Sequence, residues 1–467
     1  VDERFGGVHE PEEIALVGQS WEDQLLWLRH HPSIYVWAVA SDKVPHPALE
    51  RRYLQTFETY DPTRPYLCST GGVGSEQKII GTEVIVSEVS GSSGIKMLGP
   101  YDYTPPVYWY TDSTRGGAFG FNSETGPGAQ VPPLASLRKM LPSAHLWPVD
   151  AVWNFHCARN EFDRLDRFLG AMEQRYGQPT SLEDFDRKAQ ILNYELMRPM
   201  FEAFLINQPR ATGIIQWMLN AAWPKMYWQL YDSYLMPNGA FYAARKACTP
   251  LHLAYHYGNR GIYLLNQHRE SVPDLLAVFR VLDQRGEEIY CESIKTESPA
   301  HSSVLLSTLH EWDAMPRLYF LDLRLYDGAM RELDTNFYWL SSQPDELDYT
   351  AEVRPWAFYT PSAVYADFRL LHALPPTVVT IETTVCRGQG KTTVDVILQN
   401  QEDHMAFGLE FHLLDARTGE VCLPVFWDDN YIALLPGERR TLRAVLDGES
   451  HDLVVQGLGW NCPVIPA

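Results

Sequence analysis

The chain has 467 residues, 45% of them hydrophobic and 21% charged, an ordinary globular composition with material for several cores and too much length for one. A formal charge of −21, from 59 acids against 38 Lys and Arg, argues against nucleic acid or an anionic membrane as a partner and suits a cationic substrate. No run of about 18 apolar residues occurs, so no membrane helix is expected, and the N-terminus lacks the basic-then-apolar order of a signal peptide; the compartment stays open, secreted or cytoplasmic.

Residues 10–31 carry apolar positions at helical spacing and stop at Pro32, after which Ser33 to Ala40 predicts a buried strand ending on Ser41-Asp42. Ala48 to Tyr60 predicts a second helix, and Tyr66 to Thr70 a short strand opening on Gly71-Gly72. From there to Pro106 the chain is rich in Gly, Ser and Pro, with strand-like pieces at Ile79-Ile80 and Thr82 to Val86. The segment beginning at Gly116 predicts a strand that delivers Glu124 to the turn Gly126-Pro127-Gly128. Helices follow at Leu134 to Met140, Glu161 to Tyr176 and Ser181 to Leu205, the last opened by a loose capping box of Ser181 and Asp184. Gly213 to Asn220 again predicts a buried strand.

Beyond residue 248 the strand candidates alternate with short turns and no long helix intervenes: Gly261 to Asn266, Ala277 to Leu282, Arg317 to Leu325 and Asn336 to Leu340, then Val378 to Val385, Thr393 to Leu398, Phe407 to Leu414 and Arg440 to Leu446. The expected fold is therefore α/β plus all-β. A (β/α)8 TIM-barrel portion occupies 1–247, with about five parallel strands where a closed barrel needs eight, so its first strands are lacking. Two immunoglobulin-like β-sandwich domains follow at 248–373 and 374–467.

Two acids occupy equivalent places: Asp42 and Glu124 each end an apolar strand and each follows a Ser. On parallel strands of one barrel both open onto the C-terminal face, where barrel enzymes keep their chemistry. Two carboxylates across one cleft are what glycoside hydrolysis needs, one protonated to donate to the leaving oxygen and one ionised to attack or to activate water. Aromatic residues crowd the same strands and loops, among them Trp37, Tyr101, Tyr103, Trp109, Trp217, Trp223 and Trp228, and such rings either fill the core or stack against sugars. Seven scattered cysteines show no CxxC spacing, the histidines form no HExxH, and Gly71 to Gly74 lacks the Lys and helix of a phosphate loop, so neither a metal nor a cofactor is expected.

The stretches Ser41-Asp42, Gly99 to Tyr110, Gly116 to Thr125, Trp217 to Asn220 and Leu423 to Asn430 together resemble the exo-β-D-glucosaminidases (exo-chitosanases) of glycoside hydrolase family 2, and the resemblance covers nearly the whole chain. It implies a retaining hydrolase that releases D-glucosamine from the non-reducing end of chitosan oligosaccharides, with Glu124 of Phe-Asn-Ser-Glu-Thr as nucleophile and Asp42 of Ser-Asp as general acid/base. It further implies substrate contacts for Trp217, Tyr103 and Trp109. Ala40 stands where the family usually has Gly. The resemblance also implies that the chain corresponds to the C-terminal part of such an enzyme, with an upstream N-terminal half as a partner. The alternatives are a β-mannosidase-type hydrolase of the same family and a non-catalytic carbohydrate-binding fragment.

Overall fold

The computed structural model describes residues 3–4, 8–41, 43–71, 86–95, 99–113, 116–159, 162–310, 315–352, 360–448 and 452–463. Asp42 and the strand pieces expected at 79–80 and 82–85 therefore lie outside the described residues. No helix among the described residues is long and apolar enough to cross a membrane.

The first half alternates strands and helices, in the order β1 (Glu3–Arg4), α1 (Pro11–Leu28), β2 (Trp37–Ala38), β3 (Ala40–Ser41), α2 (Pro47–Tyr60), β4 (Tyr66–Leu67), α3 (Pro106–Thr111) and β5 (Gly120–Thr125). Five helices and one strand follow: α4 (Leu134–Met140), α5 (Ala151–Phe155), α6 (Asp166–Tyr176), α7 (Leu182–Ile206), β6 (Ala211–Gln216) and α8 (Gly239–Ala247). Among the described residues the strands of this half pair in parallel, β1 with β3, β2 with β4 and β5 with β6. Among the described residues these are two-stranded pairs and no closed barrel is formed.

Prolines at their first positions open α1 and α2. Their apolar faces meet over Trp37 in a small core of Trp21, Leu25, Leu49, Tyr53 and Phe57. The continuous strand expected from Ser33 to Ala40 is shorter than its composition implies. Arg64 occupies the carbonyls of Ile34 and His31 with Nε and Nη2, at 2.7 and 3.0 Å, so residues 33–36 are tied by a side chain instead of a neighbouring strand. Likewise β6 begins two residues before the expected Gly213 and stops at Gln216, because the Met218 amide leaves β5 and turns to the carbonyl of Trp228.

The spine of the molecule is α7, 25 residues long. Ser181 caps it by accepting from the Asp184 amide at 3.1 Å, while the Asp184 carboxylate reaches back to the Thr180 amide at 3.0 Å, one residue beyond a regular capping box. Its periodicity reads as amphipathic, yet it is buried almost all round, polar face included. The charges are tolerated because each has a partner. Glu195 takes Arg175 and the Tyr176 hydroxyl, and Glu202 takes His252, Asn336 and Tyr338.

The partners of Glu202 come from the second half, whose strand pairings are all antiparallel among the described residues. A four-stranded sheet (Glu288–Ser298, Val272–Leu282, Leu318–Tyr326, Glu332–Ser341) faces a three-stranded one (Ser302–Thr308, Gly261–Asn266, Leu251–Tyr255). The pattern then repeats with Val379–Gly388, Lys391–Asn400, Arg439–Asp447 and Phe426–Trp427 against Ile432–Leu434, Ala406–Asp415 and Leu453–Leu458. The later sandwich grips α8: Arg245 donates to the Trp427 carbonyl at 2.5 Å and Lys246 pairs with Asp429 at 3.0 Å.

Candidate active site

β5 and β6 run parallel, with Asn122 opposite Ile214 and Thr125 opposite Gln216, so the residues that end both strands emerge on one edge. Glu124 lies on that edge, and its place is set by the chain Gly99 to Tyr101 laid alongside β5. Asn122, wholly buried, donates through Nδ2 to the Gly99 carbonyl at 3.0 Å and accepts the Glu124 amide at 3.2 Å. The Gly99 amide donates to the Glu124 carbonyl, and the Thr125 hydroxyl and Gly126 amide both donate to the Pro100 carbonyl. Gly126 permits this closure, since a Cβ there would stand 2.7 Å from the Trp217 carbonyl oxygen.

The stitching delivers the Tyr101 hydroxyl to Glu124, donating to Oε1 at 3.1 Å. One carboxylate oxygen is thereby oriented by a phenol on a backbone that is itself held. Across from it, Ala38 to Ser41, Thr70 and Ser123 complete a cleft of about 270 Å³ around Glu124. Two hydrogen bonds hold its walls together, Thr70 amide to Ala40 carbonyl at 3.0 Å and Ser123 hydroxyl to Thr70 carbonyl at 3.5 Å. Ala40 is buried in this wall and its methyl is accommodated. Asp42 itself is outside the described residues, but Ser41, immediately before it, lines the same cleft as Glu124.

The three aromatic residues singled out by sequence separate. Trp217 is half-buried at the end of β6, its amide fixed to the Thr125 carbonyl at 2.8 Å, one residue from Glu124. Trp109 is 1% exposed and packs on Tyr108 and Phe204. Tyr103 is buried, its hydroxyl accepting from Arg175 at 3.3 Å and its ring against Tyr365. Neither Trp109 nor Tyr103 lines the cleft; they back the loop from the core. Sequence cannot separate a wall from its backing when both are aromatic, because burial depends on which element covers the ring.

Tyr101, which touches Glu124, and Phe162 and Trp228, which pack on Tyr101, were left without a role by this reasoning. Trp228 donates from Nε1 to the Tyr101 carbonyl at 2.7 Å, and the rings of Phe162 and Trp228 stand edge-on to Tyr101 at 6.2 and 6.3 Å. Next along the chain, Asp102 is buried and paired to Arg167 at 2.8 Å. The available signal was the Gly-Pro-Tyr-Asp run itself, a turn flanked by a phenol and an acid. Among the described residues no group of His, Cys, Asp and Glu is arranged to hold a metal.

Comparison with known proteins bears on the whole chain. Residues 357–462 match the family "Exo-beta-D-glucosaminidase Ig-fold domain". An exo-β-D-glucosaminidase of Streptomyces avermitilis is 35% identical over 93% of this chain and 48% of its own, and one of Amycolatopsis orientalis is 33% identical over 94% and 43%. The chain thus spans about half the length of the relatives it matches. The crystal structure of the A. orientalis exo-chitosanase CsxA superposes with a TM-score of 0.89 at 31% identity, covering 98% of this chain and 55% of that one. Further structures of that enzyme, with a Glu or an Asp changed to Ala, are complexes with PNP-β-D-glucosamine. Mannosidases are more distant: a lily mannosylglycoprotein endo-β-mannosidase is 22% identical.

Proposed function

We propose that this chain, a homologue of the exo-β-D-glucosaminidases that carries their immunoglobulin-fold domain, holds the C-terminal part of a retaining glycosidase that removes D-glucosamine from the non-reducing end of chitosan oligosaccharides. The observation that carries the reading is the shared cleft, with Glu124 on one wall and Ser41, the residue before Asp42, on the other. Glu124 attacks the anomeric carbon while Asp42 protonates the departing oxygen; Asp42 then takes a proton from water as the glycosyl-Glu124 bond is hydrolysed. This route needs the two carboxyl groups about 5–5.5 Å apart. The Tyr101 hydroxyl orients Oε1 of Glu124, and Trp217 beside it offers the sugar an apolar face. No metal or cofactor enters.

The parallel pairs are read as part of a (β/α)8 barrel whose remaining strands come from an upstream N-terminal half, with domains at 1–247, 248–373 and 374–467. Glucosaminide is favoured over mannoside because a protonated 2-amino group suits a chain of charge −21, and because the glucosaminidases are the nearer relatives. Rates on nitrophenyl glucosaminide and nitrophenyl mannoside separate the two. The main test is glucosamine release from chitobiose, by the chain alone and with the upstream half supplied. Loss of release in both Glu124→Gln and Asp42→Ala is expected, and unchanged release in Glu124→Gln sinks the reading. Saturable binding without hydrolysis in both preparations identifies a non-catalytic carbohydrate-binding fragment instead.

A further inference from the structure

Trp228 has a left-handed backbone, with φ at +56°, a conformation that a bulky residue keeps only where its surroundings hold it. The strain falls on a residue whose groups reach three segments around Glu124. Its carbonyl accepts the Met218 amide at 2.7 Å, beside Trp217 at the end of β6. Its indole Nε1 donates to the Tyr101 carbonyl at 2.7 Å. Its Cδ1 reaches the turn after the nucleophile, 3.5 Å from where a Cβ on Gly126 would stand.

The indole is itself held from behind. Phe162 and Tyr227 meet it edge-on at 5.0 and 5.3 Å. Tyr227 is 1% exposed, its backbone bridged to Ala129 and its hydroxyl donating to the Arg164 carbonyl at 2.8 Å. A donor fixed in this way fixes the acceptor it holds. The carbonyls of three successive residues are gripped along the chain beside β5. Asn122 takes that of Gly99, and Thr125 and Gly126 take that of Pro100, all from the nucleophile's own strand and turn. The carbonyl of Tyr101 is taken by Trp228. Placement matters most at Tyr101, because its hydroxyl meets Oε1 of Glu124 at 3.1 Å, long for a bond between oxygens, so that a few tenths of an ångström change its strength.

We infer that Trp228 is a positioning residue for the nucleophile: by gripping the Tyr101 carbonyl it aims the Tyr101 hydroxyl at Oε1 of Glu124 and so favours the ionised form of that carboxylate. Trp228 acts through Tyr101 and touches no reacting atom. The inference rests on the glucosaminidase reading for the attack, and on this geometry for the state of the carboxylate.

The test follows the Glu124 carboxyl by its carbon-13 signal, in the 467-residue chain labelled at the glutamate carboxyl carbons, the signal being identified by its loss in Glu124→Gln. Trp228→Phe keeps a ring and removes the N–H, and should raise the titration midpoint by roughly half a pH unit or more, in the same direction as Tyr101→Phe. Added to Tyr101→Phe, it should raise the midpoint no further, since the hydroxyl it aims is gone. Tyr227→Phe, which drops a hydrogen bond from the same segment, should leave the midpoint in place. With the upstream half supplied, Trp228→Phe should lower kcat on nitrophenyl glucosaminide about threefold to tenfold with KM little changed.

A midpoint unmoved by Trp228→Phe, a shift of full size on top of Tyr101→Phe, or an equal shift in Tyr227→Phe overturns the inference and leaves the nucleophile assignment standing. If Trp228→Phe does not fold, 3-benzothienylalanine at position 228, which keeps the bicyclic shape and lacks the N–H, gives the same reading. Should the parent fail to cleave the glucosaminide with the upstream half present, the glucosaminidase reading fails and the carboxyl titration still decides the role of Trp228.

Discussion

The edge that carries Glu124 and the junction between α7 and the first sandwich are built by opposite means. At the edge, two parallel strands leave much of one face open, with Phe121 37% and Ile215 52% exposed, and the site is held by local hydrogen bonds from the chain at 99–101. At the junction, the wholly buried His252 lies between Asp334 at 2.9 Å and Glu202 at 3.1 Å, while Arg198 sits 3.7 Å over the Tyr338 ring and donates to Asn336. Desolvated charges there are costly to expose singly and are held as a set. The difference teaches that chemistry and stability reside in different places, so substitutions in the two regions should move different observables.

The largest expected effect is catalytic. Glu124→Gln should lower kcat by on the order of 10⁴-fold or more, the scale on which losing an activated nucleophile slows a hydrolase. The urea midpoint should stay nearly where it was, because the side chain is only half-buried and Gln keeps an oxygen that can accept the Tyr101 hydroxyl. A large stability loss in this variant breaks the comparison.

The converse belongs to the junction. His252→Ala removes the cation that lies between Glu202 and Asp334 and should destabilise by about 3–5 kcal/mol, read as a lower urea midpoint. The residual activity of the folded fraction should be close to that of the parent.

The same pair gives a pH dependence. Burial alone lowers the basicity of His252, but Asp334 and then Glu202 overcome it and bring the pKa to about 9 against an ordinary 6.5. A raised folded-state value contributes stability that is complete below pH 6.5 and is lost as pH rises through 9, amounting to about 3 kcal/mol. Asp186, raised by burial and then by the Glu410 charge, acts in the same direction, since its protonated form is favoured in the folded state and stability falls as pH rises above its ordinary value. The melting temperature should therefore fall from pH 6 to 9.5, and more gently in His252→Gln. A melting temperature that rises across this range contradicts the assignment.

The smallest effect sharpens the catalytic side. Tyr101→Phe removes a hydrogen bond to a charged group, a contribution of about 1.5–3 kcal/mol, so kcat/KM should fall about tenfold to a hundredfold. The acidic limb of the pH profile should also move to higher pH, because the carboxylate loses a donor that favours its ionised form. A purely structural role for Tyr101 predicts no such movement.

How much of this was legible in sequence follows from which interactions are local. Helices at Pro11–Leu28, Pro47–Tyr60 and Leu134–Met140, and sandwich strands such as Gly261–Asn266, announce themselves by period and by their punctuating Pro and Gly. So did the strand-end position of Glu124. Residues 33–36 did not, since the arginine that ties them is 30 residues away. The full burial of α7 was hidden because its buried acids Glu195 and Glu202 take partners from other elements, Arg175 and His252. Trp109 and Tyr103 look like cleft residues until the core that covers them is seen. Tyr101, the group that orients the nucleophile, was one aromatic among many until the hydrogen bonds of Asn122 and Thr125 set its register against β5.

The most direct measurement of the central claim is covalent trapping with a slow 5-fluoro glucosaminyl fluoride, followed by peptide mapping in the mass spectrometer, on the chain with the upstream half present. A retaining mechanism with Glu124 as nucleophile predicts one aminosugar adduct, on the peptide that contains Glu124, absent from Glu124→Gln. An adduct on any other carboxylate, or a cleavage product of inverted configuration with no adduct, contradicts it.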